Sequence, residues 1–354
     1  MIAPFPAFGG KSAIADLVWQ RFGRVDNLVE PFANSAAVAL GAPYIPTHET
    51  WNDLNGYVAN FWRAVAADPD AVADAADWPV SEVDQHARHA WLIRQQTDLT
   101  ARLMGDPDYY DAKVAGWWLW GICQYIGSGW CSGQGPWHSV DGRLVKGAAA
   151  GNGLWSQRPH LGNAGMGINR KLPHLGDAGR GQCAEWTAHL HEMIGALRDR
   201  MRRVRVCCGD WRRVCGPTPT VKLGTTAVFL DPPYQMDGRD DVYDQHDAHP
   251  DGANSEVFYD VVTWAIAQGD DPRMRIAVCG YAESGLFPAS WDAVPWKARG
   301  GYGNQADATG RGRANSQREV AWFSPHCLQP AAVFAQPIAV RESDYAGTLF
   351  EDVS

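Results

Sequence analysis

The chain has 354 residues, a net charge of −9, 45% hydrophobic residues and 20% charged residues. This composition predicts a packed globular core, and the length allows one large α/β domain with a sizeable insertion, or two domains. The longest apolar run, residues 114–122, is too short to cross a bilayer and no secretory signal precedes the first motif, so we expect a soluble, cytoplasmic protein.

The acidic average conceals a basic segment. Residues 143–213 contain thirteen Lys and Arg against five Asp and Glu, a net charge of +8, which leaves −17 for the rest of the chain. A basic segment on an acidic body is typical of a protein that contacts phosphate with one face. An amphipathic helix with a charged solvent face is the alternative explanation.

The eight cysteines include no CxxC pair, which predicts reduced thiols rather than a disulfide framework or a bound metal. A zinc site built from Cys123, Cys131 and His138 is left open. Five of the seventeen tryptophans cluster within residues 117–137, where core packing is the favoured interpretation and a base-stacking surface is the alternative.

The predicted elements begin with a β-α-β-α pattern. Residues 28–33 predict a short buried strand that ends in a turn, and residues 47–52 predict a second strand that ends at Asn52-Asp53. A short helix is predicted between them at 35–40, and helical spacing of apolar residues predicts a helix at 56–67. Such a pattern predicts a parallel sheet with helices on its faces.

The pattern breaks between residues 70 and 203. This part contains helical stretches, a Gly-rich segment with two near-repeats at 159–165 and 173–179, and a helix at 183–204 with arginines at its C-terminal end. The α/β pattern then resumes, with strands at 204–208, 227–230, 275–279 and 319–323 and a helix at 255–268. The tail after residue 329 has no clear signal.

The most distinctive motif is Asp231-Pro232-Pro233-Tyr234, directly after the strand predicted for 227–230. Ligands bind beyond the carboxyl ends of strands in an open parallel sheet, and two prolines form a rigid turn there. The Asp231 carboxylate and the Pro232 carbonyl can accept hydrogen bonds from an amine such as adenine N6, whose lone pair must leave ring conjugation before it attacks. Tyr234 offers a flat face to a base outside the duplex. A strand-ending turn with a surface tyrosine is the alternative.

The segment Phe8-Gly9-Gly10-Lys11 comes first along the chain. Its paired glycines allow a close approach of the backbone to a ligand, and Lys11 offers a cation to a carboxylate or phosphate. Alone, this motif is weakly specific.

Two further motifs end the first two predicted strands. Segment 30–35, with the sequence Glu-Pro-Phe-Ala-Asn-Ser, forms a turn that opens a helix, whose N-terminus favours a negative group such as a methionine carboxylate. Asp53 ends the second strand, where an acidic residue binds ribose hydroxyls in nucleoside-binding folds. A helix N-cap is the alternative role for Asp53.

Together and in this order, the four motifs resemble those of the Dam-like DNA adenine-N6 methyltransferases. The resemblance covers residues 4–67 and 204–325, and the middle of the chain looks more loosely like the insertion of a phage and actinobacterial branch. It implies a Rossmann-like, S-adenosylmethionine-dependent α/β fold with a mostly helical target-recognition insertion. The implied activity is methyl transfer to the N6 amine of a flipped-out adenine.

This resemblance also implies a division of the chain and roles for its motif residues. Residues 1–69 and 204–329 are expected to form the catalytic domain, 70–203 the target-recognition insertion and 330–354 a tail. The residues expected to bind S-adenosylmethionine are Phe8, Gly9, Gly10, Lys11, Glu30, Pro31, Phe32, Asn34, Asp53, Asp210, Trp211 and Asp231. Those expected to act on the target base are Asp231, Pro232, Pro233 and Tyr234.

The sequence departs from the family pattern in the loop after the first strand. The family commonly has glycines where this chain has Asn34 and Ala36. Because alanine tolerates a positive φ much less well than asparagine, we expect the loop to bend differently and cofactor affinity to be affected.

The expected partner is double-stranded DNA, bound by a monomer or weak dimer, and a cognate restriction nuclease is left open. We expect Arg170, Lys171 and Arg180 on the Gly-rich loops to contact DNA more than the arginines of the helix that follows. Two alternatives remain, namely a methyltransferase acting on cytosine N4 or RNA, and a non-catalytic DNA-binding relative that has lost its cofactor.

Overall fold

The structure, a computed structural model, contains one large sheet flanked by helices. It describes residues 1, 3–6, 10–124, 130–131, 137–140, 143–146, 184–233, 254–281, 285–296 and 319–329. The sheet has seven strands, five of them in one parallel set, so the expected α/β class with a parallel sheet is confirmed.

The N-terminal part supplies the first two strands and their helices. Its elements are α1 (Ala15–Phe22), β1 (Asn27–Glu30), α2 (Ala37–Leu40), β2 (His48–Asp53) and α3 (Gly56–Ala67). The chain then forms α4 (Pro69–Ala76), α5 (Glu82–Gly105), α6 (Ala112–Gln124), the hairpin strands β3 (Trp137–Val140) and β4 (Arg143–Lys146), and α7 (Ala184–Met201). The last part contains β5 (Val204–Cys208), α8 (Arg212–Cys215), β6 (Thr226–Leu230), α9 (Asn254–Gly269), β7 (Met274–Tyr281), β8 (Asp292–Pro295) and β9 (Glu319–Phe323).

Strand order in the large sheet is β5-β2-β1-β6-β7-β9-β8. The chain builds outward from β1 through β2 to β5 and then starts again on the other side of β1 with β6, so the order reverses between β1 and β6. Strand β9 is antiparallel to both of its neighbours. Because ligands bind at the carboxyl ends of strands beside such a reversal, the topology marks the ends of β1 and β6 as the place for a site.

The central strands are covered on both faces. Every residue of β1, β6 and β9 is buried, as expected for strands that have helices on both sides of the sheet. One face packs against a cluster that includes Phe61 and Trp62 of α3, and the other against a cluster that includes Val261 of α9. The sheet is therefore a rigid support for the loops at its carboxyl edge.

Helices between α3 and β5 share the core of the sheet rather than standing apart from it. Trp118 of α6 packs edge-on against Phe5, with ring centroids 4.9 Å apart, and it also contacts Phe61 of α3. Trp118, Trp120 and Trp130 are buried and Trp117 is half-buried, so core packing accounts for these members of the tryptophan cluster. The fifth, Trp137, has no described side chain.

Several elements differ from the sequence predictions. Helix α1, strand β8 and the β3–β4 hairpin were not predicted, and the antiparallel direction of β9 was not foreseen. Helix α1 has no side-chain N-cap, and β8 is a four-residue edge strand that ends at a proline, so each has a weak local signal. In the described part of the chain, no helix combines the length and apolarity needed to cross a membrane, and no cluster of three or more His, Cys, Asp and Glu side chains is arranged to hold a metal ion.

Candidate functional site

The carboxyl edge of the sheet brings together described residues of all four sequence motifs. Glu30 ends β1, Asp53 ends β2 and Asp231 follows β6 directly. These strands are adjacent or one apart and run in the same direction, so their ends meet at one edge. Gly10, Lys11, Glu30, Phe32, Asn34 and Asp231 are among the residues that line an open pocket there, of about 310 Å³ when counted out to solvent.

An ion pair joins the N-terminal motif to the motif after β6. The Lys11 ammonium lies 2.9 Å from Oδ1 of Asp231; the Lys11 side chain is buried, whereas that of Asp231 is about one-fifth exposed. Burial by itself lowers the pKa of Lys11, but the opposing charges of Asp231 and Glu319 more than offset this effect and hold the pKa above its usual value. Lys11 therefore stays charged and fixes one oxygen of Asp231.

Pro232 and Pro233, which follow Asp231, are both buried. Proline fixes φ and has no backbone N–H to donate, so this pair ends the ladder of β6 without leaving a buried donor unpaired. The rigid turn limits the positions that the Asp231 carboxylate can take. Tyr234 lies outside the described residues, as do Phe8 and Gly9.

Glu30 is a buried carboxyl group at the base of the pocket. Its Oε1 accepts a hydrogen bond of 2.5 Å from the backbone N–H of Ala39 in α2. Burial raises the pKa of Glu30 to about 8, and the charges of Glu49 and Asp231 add to this, while the Ala39 N–H and the charge of Arg200 act in the other direction. Glu30 therefore changes its protonation state in the neutral to mildly alkaline range.

The loop after β1 has left-handed backbone at two non-glycine residues. Asn34 has a φ of 45° and Ala36 a φ of 51°. These are the two positions where the resembled family commonly has glycine, the residue that adopts a positive φ most readily. A left-handed alanine carries a strain of roughly 1–2 kcal/mol. The expected difference from the family's loop stays a prediction.

Helix α2, which this loop opens, has only four residues. A single turn sums few peptide dipoles, so the helix N-terminus attracts an anion less than a longer helix would.

Asn52 and Asp53, the last residues of β2, fasten the neighbouring strand ends. The Asn52 side-chain amide donates to the carbonyls of Pro31 and Gly209, each at 2.9 Å. The Asp53 carboxylate accepts the backbone N–H groups of Asn34 and Asn55, at 2.8 and 2.9 Å. Asp53 thus holds the loop after β1 in place.

Two roles were considered for Asp53, namely binding of ribose hydroxyls and capping of a helix. The alternative of a helix N-cap is wrong, because Asn55 caps α3 by accepting from the N–H of Tyr57. Burial raises the pKa of Asp53 to about 6, against the opposing effect of its backbone hydrogen bonds. Its binding of ribose hydroxyls stays a prediction.

Asp210 and Trp211 follow the end of β5. Trp211 is buried and packs at 6.3 Å, between ring centroids, against Phe32 of the loop after β1. Asp210 accepts from the backbone and guanidinium of Arg212, at 2.8 and 3.0 Å. The structure therefore connects Trp211 to the pocket through Phe32, and its contact with a cofactor adenine stays a prediction.

Glu319 is a site residue that the sequence interpretation missed. Because β9 is antiparallel, its first residue lies at the carboxyl edge of the parallel strands, where Glu319 is paired with Tyr281. Glu319 is buried, and its charge contributes to the raised pKa of Lys11. Trp296 also contacts Lys11, with the ammonium 5.3 Å from the ring centroid. The strand was predicted, but only its direction reveals the position of Glu319.

The three residues predicted to contact DNA, Arg170, Lys171 and Arg180, lie outside the described residues. Of the arginines that follow them, Arg198 and Arg202 form exposed ion pairs with Asp199. Arg200, in contrast, is buried in an ion pair with Glu49. That residue of the basic segment is therefore bound to the sheet domain instead of lying on the exposed surface.

A known protein family matches the N-terminal part of the chain. Residues 8–89 match the family model of the D12 class N6 adenine-specific DNA methyltransferase. The matched part includes Lys11, the loop after β1 and Asp53, and it ends before Asp231. No curated protein matches the chain. Over residues 8–89 the chain is thus similar to a family of adenine-specific DNA methyltransferases, which supports the prediction of a DNA methyltransferase.

Proposed function

We propose that the protein transfers a methyl group from S-adenosylmethionine to the N6 amine of adenine in double-stranded DNA, in the manner of the Dam-like enzymes. The observation that carries this proposal is the position of Asp231. The Asp-Pro-Pro turn after β6 lies in one pocket with Lys11 and Glu30, which belong to the segment that matches the adenine-specific family.

The residues of the pocket suit S-adenosylmethionine. The Asp231 carboxylate favours a cationic ligand such as a sulfonium, and Lys11 can attract the methionine carboxylate. Glu30, which is neutral below its raised pKa of about 8, offers the ligand a hydrogen-bonding group. Asp53 is placed at the end of the neighbouring strand, where an acidic residue serves a ribose. Phe32, packed on Trp211, provides an apolar wall. The bound cofactor supplies an already activated methyl group.

The protein's own contribution is positioning and electrostatics. Asp231 accepts a hydrogen bond from the N6 amine, which draws the lone pair of nitrogen out of conjugation and toward the methyl group. Lys11 and the buried prolines hold the Asp231 carboxylate in place for this contact. A flipped-out adenine would approach this edge of the sheet from the solvent side of the pocket, where Asp231 is partly exposed, and Tyr234 would stack on the base.

Recognition of DNA is assigned to the segment between α3 and β5, as in the related branch of phage and actinobacterial enzymes. Arg170, Lys171 and Arg180 would contact phosphates, and the Gly-rich loops would approach a groove. The protein would act as a monomer or weak dimer.

The left-handed loop bears on the alternative of a non-catalytic relative. That alternative rested on the replacement of two glycines by Asn34 and Ala36, and both residues have the positive φ that glycine adopts most readily. A loop that keeps left-handed backbone at both positions favours the enzyme over the non-catalytic relative. An aspartate rather than a serine before Pro-Pro favours adenine over cytosine N4 as the target.

Methylation of a plasmid in vitro tests the proposal. Purified protein and S-adenosylmethionine should produce N6-methyladenine at one recognition sequence, detected by sequencing that reads modified bases. The matched control is Asp231→Asn, which should leave the plasmid unmodified. Methylation of cytosine, or of RNA alone, would replace the proposed substrate, and absence of any S-adenosylmethionine binding by calorimetry would favour the non-catalytic relative.

A further inference from the structure

Arg200, next to the last residue of α7, is bound to two different elements of the sheet domain. Its Nη1 and Nη2 donate to the two oxygens of Glu49 in β2, at 2.5 and 2.7 Å, and Nη2 also donates to the carbonyl of Ala39 in α2, at 3.0 Å. The Glu49 side chain is completely buried and that of Arg200 nearly so. A bidentate pair of this kind fixes both position and orientation.

Ala39 is the link between this ion pair and the pocket. Its carbonyl accepts from Arg200, and its N–H donates to Oε1 of Glu30. Helix α2 is a single turn, so its position depends on such contacts more than on its own hydrogen bonds. Arg200 therefore lies two contacts away from the pocket wall.

The position of Arg200 in α7 also connects the pocket wall to the segment between α3 and β5. Helix α7 returns the chain from the segment between α3 and β5 to the sheet. The first half of α7 is attached to α4. Thr187 donates a hydrogen bond to Asp77, the residue after α4, and the His191 ring lies between Asp70 and Asp74. A shift of α7 would thus move the guanidinium that holds α2.

We propose that Arg200 is a positioning residue of the methyl-donor site, which acts through Ala39 and Glu49 to hold the Glu30 carboxyl group and couples cofactor affinity to the seating of α7. The proposal rests on the function proposed above. It assigns Arg200 to the cofactor site rather than to the DNA-binding face suggested by the basic segment.

The charges around Glu30 give the proposal a measurable consequence, which is a change in the pKa of Glu30 when a neighbouring charge is removed. The groups that act on Glu30 are the Ala39 N–H, Glu49, Asp231 and Arg200, with Lys11 on the far side of Asp231. The charge of Arg200 lowers the pKa of Glu30, and the charge of Glu49 raises it. Removing one or the other should therefore move the titration of Glu30 in opposite directions.

The first test follows this titration in the cofactor-free full chain, by NMR of ¹³C-carboxyl-labelled glutamate with Glu30→Gln to assign the signal. Arg200→Met should raise the titration midpoint of Glu30 and Glu49→Gln should lower it. Arg202→Met, which removes an exposed arginine two residues further along, should leave it unchanged. Shifts of the same sign in the first two variants, or no shift in either, would overturn the proposal.

The second test measures binding of S-adenosylmethionine by calorimetry. Arg200→Met should raise the dissociation constant by about tenfold or more, and Arg202→Met should not change it. If Arg200→Met fails to fold, the double variant Arg200→Met/Glu49→Met carries the test, because removing both partners leaves no unpaired buried charge. It too should bind more weakly.

The two tests separate the proposal from the function on which it rests. A wild-type chain that binds no S-adenosylmethionine refutes the proposed function and, with it, a positioning role in a methyl-donor site. A wild-type chain that binds the cofactor, together with folded Arg200 variants that bind it equally well, refutes the positioning role alone.

Discussion

Two buried ion pairs lie at opposite ends of the central strands, and their surroundings differ. Lys11 and Asp231 meet at the carboxyl edge, in the pocket, where the Asp231 side chain is about one-fifth exposed. Arg200 and Glu49 meet near the start of β2, where the Glu49 side chain is wholly buried and both of its oxygens are bound to the guanidinium. The same kind of pair thus leaves a carboxylate partly exposed in the pocket in one place and holds elements together in the other.

The largest effect should come from the pair at the carboxyl edge. Asp231→Asn removes the charged acceptor that the proposed mechanism uses to orient the amine, so methyl transfer should fall by about a hundredfold to a thousandfold, judged from the loss of one preorganised electrostatic contact. Incorporation of labelled methyl groups into DNA measures this.

The matched control for that variant is Asp271→Asn. Asp271 is also paired with a cation, Arg273 at 2.7 Å, but it precedes β7 and so lies at the amino edge of the sheet. Its turnover should equal that of the wild type. Equal turnover of Asp231→Asn and Asp271→Asn would show that the Asp-Pro-Pro turn is structural.

The second pair should act mainly on stability. Arg200→Ala leaves Glu49 buried without its partner, which should reduce the free energy of unfolding by about 3–5 kcal/mol. Arg202→Ala, in an exposed ion pair just after the end of α7, should change it by no more than about 0.5 kcal/mol. Urea denaturation measures both, and similar values for the two variants would contradict the contrast between the pairs.

Asp53 both holds the loop after β1 through hydrogen bonds and lies at the end of β2, beside the pocket. Asp53→Asn places an NH₂ group against a backbone N–H and removes the charge offered to ribose, so the dissociation constant for S-adenosylmethionine should rise by about one to two decades. Asp68→Asn is the control, because Asp68 also accepts a backbone N–H but caps α4. Calorimetry should show unchanged cofactor binding for it, and equal binding by Asp53→Asn would leave Asp53 without a cofactor role.

Glu30 should make stability depend on pH. Its pKa in the folded protein, about 8, is above the ordinary value of 4.5, so between these values the folded state holds a proton that the unfolded state has lost. The stabilisation is therefore fully present below pH 4.5 and is lost as pH rises toward 8, with a slope of at most about 1.4 kcal/mol per unit. Glu30→Gln does not titrate, so its unfolding free energy should decline less over this range. Parallel curves for the two cofactor-free proteins would rule out the raised pKa.

The sequence predicted the parts of the molecule that have local signals. Strands β1 and β6 include short apolar runs followed by turns, and β2 was predicted as the second strand of the β-α-β pattern. The convergence of Glu30, Asp53 and Asp231 followed from the parallel direction of these strands. The pairing of Glu49 with Arg200 could not be predicted, because the two residues are 151 positions apart and each resembles a surface charge. Glu319 was missed because its position depends on the direction of β9, which the sequence of the strand does not reveal.

The smallest effect should come from the strained loop that lies between the two ion pairs. Ala36 and Ala39 are both fully buried, but Ala36 has a left-handed backbone and Ala39 lies within α2. A glycine loses the buried methyl contact at either position, at a cost of about 0.8 kcal/mol. At position 39 it also loosens a helix, for a total loss of about 1–2 kcal/mol. At position 36 it relieves a strain of roughly 1–2 kcal/mol, so Ala36→Gly should leave stability unchanged or raise it by up to about 1 kcal/mol. Thermal unfolding of the two variants measures the difference. An Ala36→Gly protein that loses as much stability as Ala39→Gly would mean that the loop stores no strain, and that replacing the family's glycine costs this chain nothing.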